Sequence, residues 1–181
     1  MLINITPLRM EDAIELYQFE SSNRAFFEKM VPSRGEDYYR YEHFLQRLEQ
    51  LLEEQEAGLS LFTLIRDEAG MIVGRMNVVD MDREKGTGHI GYRVGEAVAG
   101  KGVASLALPM LLKEAAERYG MTKLYAKTTR DNIPSQKVLL KHGFELVSVE
   151  PDAAEWDGKK EDFLHYQKRM AAPSLFEADC L

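Results

Sequence analysis

The feature that most constrains the fold is a change of hydrophobic pattern near residue 95. Before this point, three strand-like segments at 59–66, 71–81 and 87–94 follow one another across short turns, as in an antiparallel meander. After it, helices and strands alternate, with helices at 103–119 and 134–142 and strands at 122–129, 144–150 and 161–169. A meander followed by a strand–helix–strand crossover predicts an α+β fold with a mixed, mostly antiparallel central sheet flanked by helices.

The N-terminal third adds one strand and two helices to this sheet. The pattern predicts a strand at 2–6, a helix at 10–19 and a loop at 21–34, followed by a long helix between Gly35 and Gly58. Near the other end, Asp157–Gly158 is a hairpin signal between the last two strands. The 181 residues fit one domain, which we place at 1–170, and residues 171–181 are expected to form a frayed tail.

Composition and charge exclude several classes of protein. With 30 acidic and 23 basic residues the net charge is −7, which disfavours a nucleic-acid binder and allows a cationic substrate or simply good solubility. The longest apolar run, at 103–112, is too short for the ~20 residues of a membrane span, and the first residues contain no signal segment. The single cysteine, Cys180, excludes an intrachain disulfide and a Cys-rich zinc site. We therefore expect a cytoplasmic protein with no membrane, nucleic-acid or metal partner; a homodimer is compatible with the sequence.

The densest chemical signal is the segment AGKGVA at 99–104, where a strand gives way to a helix. Unpaired N–H groups and the helix dipole make a helix start attractive to anions, and glycines let a phosphate approach the backbone. The alternative is an ordinary turn that needs glycines only for its geometry.

Two other phosphate motifs fail on their context. Gly86, Gly88 and Gly91 spell the dinucleotide fingerprint G-x-G-x-x-G, but a strand follows where a helix is required. The nucleotide P-loop needs Gly-Lys followed by Ser or Thr, whereas Lys101 is followed by Gly102.

Together these segments resemble the GNAT superfamily of acyl-coenzyme A-dependent N-acetyltransferases. The family signature Q/R-x-x-G-x-G/A maps onto Ala99, Gly102 and Ala104, after the strand HIGYRV. The family's second signature, N-x-x-S leading through a helix to Gly-Phe, is similar to DNIPSQKVLLKHGFE at 131–145. NRAFFEKMVP at 23–32 and the DG-x-x-x-D-x-x-x-Y segment at 157–166 resemble the RimJ/RimL branch, whose members acetylate the N-terminal amine of ribosomal proteins.

The resemblance implies acetyl-CoA as cosubstrate and a set of residues that bind it. These residues are Tyr92, Val94, Gly100, Lys101, Gly102, Val103, Ala104, Asn132 and Ser135. Three positions depart from the family pattern, because Ala99 replaces its Gln or Arg, Leu139 its frequent tyrosine acid, and His89 its frequent glutamate.

Two residues are candidates for catalysis. Acetyl transfer to an amine needs a base, which His89 could supply, although a lone histidine in a strand can equally serve packing. Ser135 could stabilise the leaving thiolate, as the resemblance implies, or cap its helix.

The expected function is acetyl transfer to a primary amine, first of all a protein N-terminal α-amine. The alternatives are a small-molecule amine, a non-catalytic acyl-CoA-binding module on the same fold, or a nucleotide-dependent enzyme built on the glycine cluster.

Overall fold

The structure, a computed structural model, describes residues 1–29, 31, 33–156 and 158–170. Its strands are β1 (Ile3–Pro7), β2 (Leu61–Asp67), β3 (Ile72–Asp82), β4 (Thr87–Val94), β5 (Lys123–Thr129), β6 (Glu145–Trp156) and β7 (Lys159–Arg169). They form one sheet in the order β1-β2-β3-β4-β5-β7-β6. Among the strands of the described residues only β4 and β5 pair in parallel, so the predicted mixed, mostly antiparallel sheet is confirmed.

Helices cover both faces of this sheet. They are α1 (Ala13–Ser22), α2 (Arg24–Phe27), α3 (Tyr41–Glu56), α4 (Val103–Tyr119) and α5 (Ile133–Lys141). On one face Met76 and Ile90 share a core cluster with Leu108 of α4. On the other, Leu64 shares a cluster with Leu16 of α1 and Leu48 of α3. Because side chains alternate along a strand, the even-numbered residues of β4 face α4 and the odd-numbered ones face α1 and α3.

The last hairpin is longer than the sequence predicts. β6 continues past residue 150 to Trp156, and β7 begins at Lys159. Pro151 cannot donate a ladder hydrogen bond, and the pairing register shifts between Glu150 and Ala154 to accommodate it. A proline is tolerated here because β6 is an edge strand.

The segment at 21–34 is not entirely a loop, because it contains the short helix α2. The Phe27 side chain is buried there, with its ring centroid 5.8 Å from that of Phe19 on α1. The long helix α3 begins at Tyr41, later than predicted, after a single 3₁₀ turn at Glu36–Tyr39. Aromatic packing therefore orders a stretch that has no helical periodicity of its own.

The predicted tail at 171–181, with Cys180, lies outside the described residues. Asp157, the first residue of the hairpin signal, lies outside them as well. None of the helices in the described part of the chain is long and apolar enough to cross a membrane.

Candidate active site

The parallel strands β4 and β5 diverge before either of them ends. They pair from Thr87 opposite Lys123 to Ile90 opposite Ala126, and no pairing between them follows in the described residues. β4 stays paired with β3 as far as Val94, and β5 stays paired with β7 to its last residue. The sheet therefore opens into two halves, and backbone N–H and C=O groups of both strands face the gap.

A cleft of about 280 Å³ occupies this gap. Its walls include residues 90–93 of β4 and 126–129 of β5, and Asn132 and Ser135 line it from α5. A hollow of about 320 Å³ lies between α1 and residues 95–98, but no strands diverge there. The cleft is therefore where backbone groups are open to a ligand.

The predicted phosphate loop lies at the N-terminus of α4. Gly100 and Gly102 have φ values of +73° and +80°, which glycine adopts without strain, and a Cβ on either would meet no atom within 4 Å. Leu106 is the first helical residue whose N–H bonds backward, to the carbonyl of Gly102 at 3.0 Å. No side chain caps this end, and among the described residues no backbone acceptor meets the preceding amides of Val103, Ala104 and Ser105. Such an end can hold an anion.

The other residues predicted for cofactor binding offer different groups. The N–H of Lys101 already bonds the carbonyl of Val98 at 3.2 Å, so only its exposed side chain is left for a ligand. The Val103 side chain lies in the core, which leaves its N–H. Val94 and Ala104 are half-buried against the same core cluster.

Tyr92, Asn132 and Ser135 come together on the α5 side of the cleft. The Asn132 side chain caps α5 by accepting a hydrogen bond from the Ser135 N–H at 3.2 Å. The Tyr92 hydroxyl donates to the Ser135 carbonyl at 3.2 Å and lies 3.0 Å from the Ser135 hydroxyl. Burial raises the pKa of Tyr92 to about 12, so the phenol remains a donor at neutral pH. The helix cap is thus Asn132, and the Ser135 hydroxyl is held by Tyr92 instead.

Three arginines gather around one buried glutamate on the α1 side of the cleft. Glu20 of α1 is fully buried and accepts hydrogen bonds from Arg75 at 3.0 Å and from Arg93 at 3.1 Å. Arg75 and Arg93 lie opposite each other in the β3–β4 pair. Arg34 lies close enough to the same carboxylate to lower its pKa, and all three arginines line the cleft.

The pKa values of this cluster reflect its burial and its crowding. Burial would raise the pKa of Glu20, but the attraction of Arg75 and Arg93 outweighs burial and lowers it below that of an ordinary glutamate. Burial lowers the pKa of Arg93, and the attraction of Glu20 does not offset burial and the repulsion of the neighbouring arginines. Glu20, Arg75 and Arg93 therefore stay charged at neutral pH, because the pKa of Glu20 is lowered and arginine remains protonated far above neutrality.

The cleft is cationic and contains no base among the described residues. Lys127 lines the wall opposite the arginines, so four cations face the space, whereas no Asp, Glu or His lines it. Among the described residues no group of three or more His, Cys, Asp or Glu side chains could hold a metal ion.

His89 lies outside this lining. Its side chain is 56% exposed, its ring stacks on Tyr125 with centroids 5.2 Å apart, and its Nδ1 lies 3.9 Å from a carboxylate oxygen of Asp80. It precedes Gly91 by two residues on the same face of β4, about 7 Å along the strand. Direct proton transfer needs a base within hydrogen-bond reach, so His89 could act on an amine in the cleft only through water. Its role as the base stays a prediction.

Sequence reasoning did not identify the cation cluster, which consists of Arg34, Arg75 and Arg93 around Glu20. It also did not identify Asn77, which lines the cleft opposite Gly91 in the β3–β4 pair. One signal was available, because Arg75 and Arg93 interrupt strand-like segments that are otherwise largely apolar. A charge at such a position requires a buried partner.

Comparison with known proteins identifies the family to which this fold and cleft belong. Residues 3–145 match the acetyltransferase (GNAT) domain family. The chain is 28% identical to the probable N-acetyltransferase YjcK of Bacillus subtilis strain 168 over 165 residues, which cover 88% of this chain and 90% of that protein.

Two solved structures have the same fold. The ribosomal-protein-S5-alanine acetyltransferase of Vibrio fischeri has a TM-score of 0.86 at 22% identity, covering 92% of both chains. RimL, a ribosomal L7/L12 alpha-N-protein acetyltransferase solved in complex with coenzyme A, has a TM-score of 0.86 at 19% identity, covering 94% of this chain and 96% of that one. At these identities the likeness establishes the fold alone, and the fold is the one expected for the RimJ/RimL branch.

Proposed function

The chain belongs to the acetyltransferase (GNAT) family, and we propose that it transfers the acetyl group of acetyl-CoA directly to the α-amine at the N-terminus of a protein. We choose an α-amine rather than a lysine side chain because the described lining of the cleft between β4 and β5 has four cations and no base. The family assignment gives the type of enzyme, an acetyltransferase, whereas the acceptor and the roles of single residues are our proposal.

The residues present suit coenzyme A as the acyl carrier. The open glycines of the loop and the amides of the first turn of α4 suit its pyrophosphate. The unpaired backbone of the diverging strands, beside Tyr92, Val94 and Asn132, suits the amide groups of its pantetheine arm. When bound, acetyl-CoA supplies an acetyl group that is activated as a thioester.

Ser135 is the residue we assign to the leaving sulfur. Its hydroxyl lines the cleft and is fixed by Tyr92 at 3.0 Å. The Tyr92 phenol has one proton, and when that proton is given to the Ser135 hydroxyl rather than to the Ser135 carbonyl, the hydroxyl can itself donate a hydrogen bond to a developing thiolate. Tyr92 is in this scheme a positioning residue.

The absence of a base from the described cleft lining favours an α-amine as the acceptor. Nearby positive charge disfavours an ammonium ion, so the cleft admits the amine in its neutral form. An α-amine has a pKa of roughly 7.7–8.0 and a lysine side chain one of about 10.4, so the α-amine loses its proton far more readily. The names of the two structural neighbours, which refer to acetylation of ribosomal proteins, agree with this choice.

This proposal is tested by comparing two kinds of amine in one peptide sequence. One peptide has a free α-amine and no lysine, and the other has a blocked N-terminus and a single lysine. At neutral pH we expect kcat/KM to favour the α-amine by more than ~10-fold, and the ratio to shrink as the pH approaches the lysine pKa of about 10.4, where the lysine amine also becomes neutral in a substantial fraction. Release of free thiol from acetyl-CoA measures both rates. Equal rates at neutral pH would contradict the choice of amine, and no thiol release with any amine would indicate a non-catalytic binding module.

The same assay decides the role of His89. If it removes the proton through water, His89→Gln should lower kcat by ~10²–10⁴ and recover toward alkaline pH. If instead the wild-type and variant pH profiles agree within ~3-fold, His89 is not the base, and its place outside the cleft lining reflects a structural role.

Two substitutions of Asn132 separate its structural and ligand-binding roles. Asn132→Asp keeps an oxygen that can accept from the Ser135 N–H but removes the amide donor, so stability should hold while KM for acetyl-CoA rises ~3- to 10-fold, the effect of one hydrogen bond. Asn132→Ala should also lose ~1 kcal/mol of stability with the cap. KM and Tm measured on both variants provide the check. If Asn132→Asp leaves KM unchanged, Asn132 is a cap only.

The proposal treats residues 1–170 as one N-acetyltransferase domain acting in the cytoplasm. A chain with a single cysteine is in keeping with a reducing compartment. A protein N-terminus is the partner that this function requires.

A further inference from the structure

The cleft has a positive charge that acetyl transfer alone does not explain. The whole chain has a net charge of −7, yet Arg34, Arg75, Arg93 and Lys127 line this one space without an Asp or Glu among its described lining residues. The fully buried carboxylate of Glu20, on α1, neutralises one of these four charges. An excess of positive charge is therefore left facing whatever enters the cleft.

Arg34 is the arginine best placed to meet a ligand. It is exposed, and it has no ion-pair partner among the described residues. Its guanidinium stacks 4.7 Å from the ring centroid of Tyr38, which fixes its plane while its N–H edge remains free. Arg75 and Arg93, by contrast, already donate to Glu20. The guanidinium of Arg34 is therefore fixed in place, and its N–H donors are free to bind a ligand.

The strand arginines do not belong to the phosphate loop. Arg75 and Arg93 bond Glu20 of α1, on the face of the sheet that α1 and α3 cover. The loop opens α4, which packs on the opposite face against Met76 and Ile90. The charge of Arg75 and Arg93 therefore acts on the α1 side of the cleft, where we place the acceptor amine.

Asn77 and Gly91 provide a place for the amine beside these cations. They lie opposite each other in the β3–β4 pair, and a Cβ on Gly91 would meet no atom within 4 Å. The side-chain oxygen of Asn77 is buried and has no hydrogen-bond partner in the described structure. A buried acceptor without a donor is costly, and an N–H of a neutral amine would satisfy it.

We propose that the acceptor carries a carboxylate in the residues directly after the amine that is acetylated, as in a protein whose first residues are acidic. This inference rests on the proposed function and narrows its substrate class. The amine donates to Asn77 above Gly91, and the carboxylate meets the free edge of Arg34. The cations thus select an anionic acceptor and also favour the neutral, reactive form of its amine.

Three peptides of equal length test this proposal. Ser-Asp-Asp-Phe, Ser-Asn-Asn-Phe and Ser-Lys-Lys-Phe, all with amidated C-termini, present the same α-amine beside an acidic, a neutral or a basic pair. We expect kcat/KM to fall in that order, with the acidic peptide ~10-fold above the neutral one, as for one charge-assisted hydrogen bond. The preference should shrink as ionic strength rises.

Variants of Arg34 decide whether the preference comes from this cleft. Arg34→Ala should bring the ratio of acidic to neutral peptide close to unity, and Arg34→Glu should place the basic peptide above the acidic one. Arg40→Ala is the matched control, because Arg40 is exposed, pairs with Asp37 at 3.6 Å and lies outside the cleft lining. It should leave the ratio unchanged. Acetylation of all three peptides at equal rates would overturn the anionic acceptor and leave the enzyme's function standing, whereas failure with every peptide would count against the proposed function itself.

Discussion

Replacing Gly102 by valine should abolish detectable coenzyme A binding, and acetyl transfer with it. Gly102 has a φ of +80° and precedes α4 directly, and a Cβ there would project into open space beside the free amides of the first turn. A branched side chain fills the space that a phosphate must enter, because the anion has to come within hydrogen-bond distance of the backbone. Lys101→Ala should weaken binding only modestly, since an exposed charge contributes little. Titration calorimetry with coenzyme A measures both.

The opposite end of the same helix supplies the control for backbone strain. Gly120 follows α4 with a φ of +69° and equally open space around its Cβ. Gly120→Val should therefore lower Tm by a similar amount while coenzyme A still binds. Equal loss of binding in both variants would show that strain, rather than access to the amides, is responsible. Tighter binding by Gly102→Val than by Lys101→Ala would contradict the backbone loop altogether.

The family match supports the sequence-based prediction of an acetyltransferase, and the loop could be located because its determinants are local. Gly100 and Gly102 are two residues apart, and the amphipathic helix begins in the next residue. The cap of α5 is local as well, since Asn132 bonds an amide only three residues ahead. In both cases the residues that decide the backbone conformation are neighbours along the chain.

The cation cluster could not be predicted because it depends on distant residues. Glu20 is 55 residues from Arg75 and 73 from Arg93, and the sequence does not say which acid neutralises which base. The divergence of β4 and β5 is equally invisible. The alternation of HIGYRV is the same whether its last residues pair with a neighbour or face a gap. Tertiary pairing decides both features, and both shape the part of the cleft where we propose that the acceptor binds.

A second large effect should appear in stability when Glu20 is replaced. Glu20 is fully buried and accepts from Arg75 and Arg93, whose side chains are only 6% and 18% exposed. Glu20→Gln nearly preserves the shape but leaves two poorly solvated guanidinium groups without their counter-charge. Removing one partner of a buried charge pair costs about 3–5 kcal/mol, so unfolding in urea should begin at a much lower concentration. Arg75→Met added to this variant should restore part of the loss, because it removes one of the uncompensated charges.

The loss should also depend on pH in a defined direction. The pKa of Glu20 is lower in the folded protein than in the unfolded chain, because the arginines outweigh burial. Its ionised form therefore stabilises the fold fully above the unfolded pKa of about 4.3, and this contribution disappears as the pH falls through the folded pKa. The gap in unfolding free energy between wild type and Glu20→Gln should be constant near neutral pH and narrow in acid. Glu49→Gln, on the exposed face of α3, is the control and should change stability by no more than ~0.5 kcal/mol. A gap that does not narrow in acid would mean that packing around Glu20, rather than its charge, holds the three side chains in place.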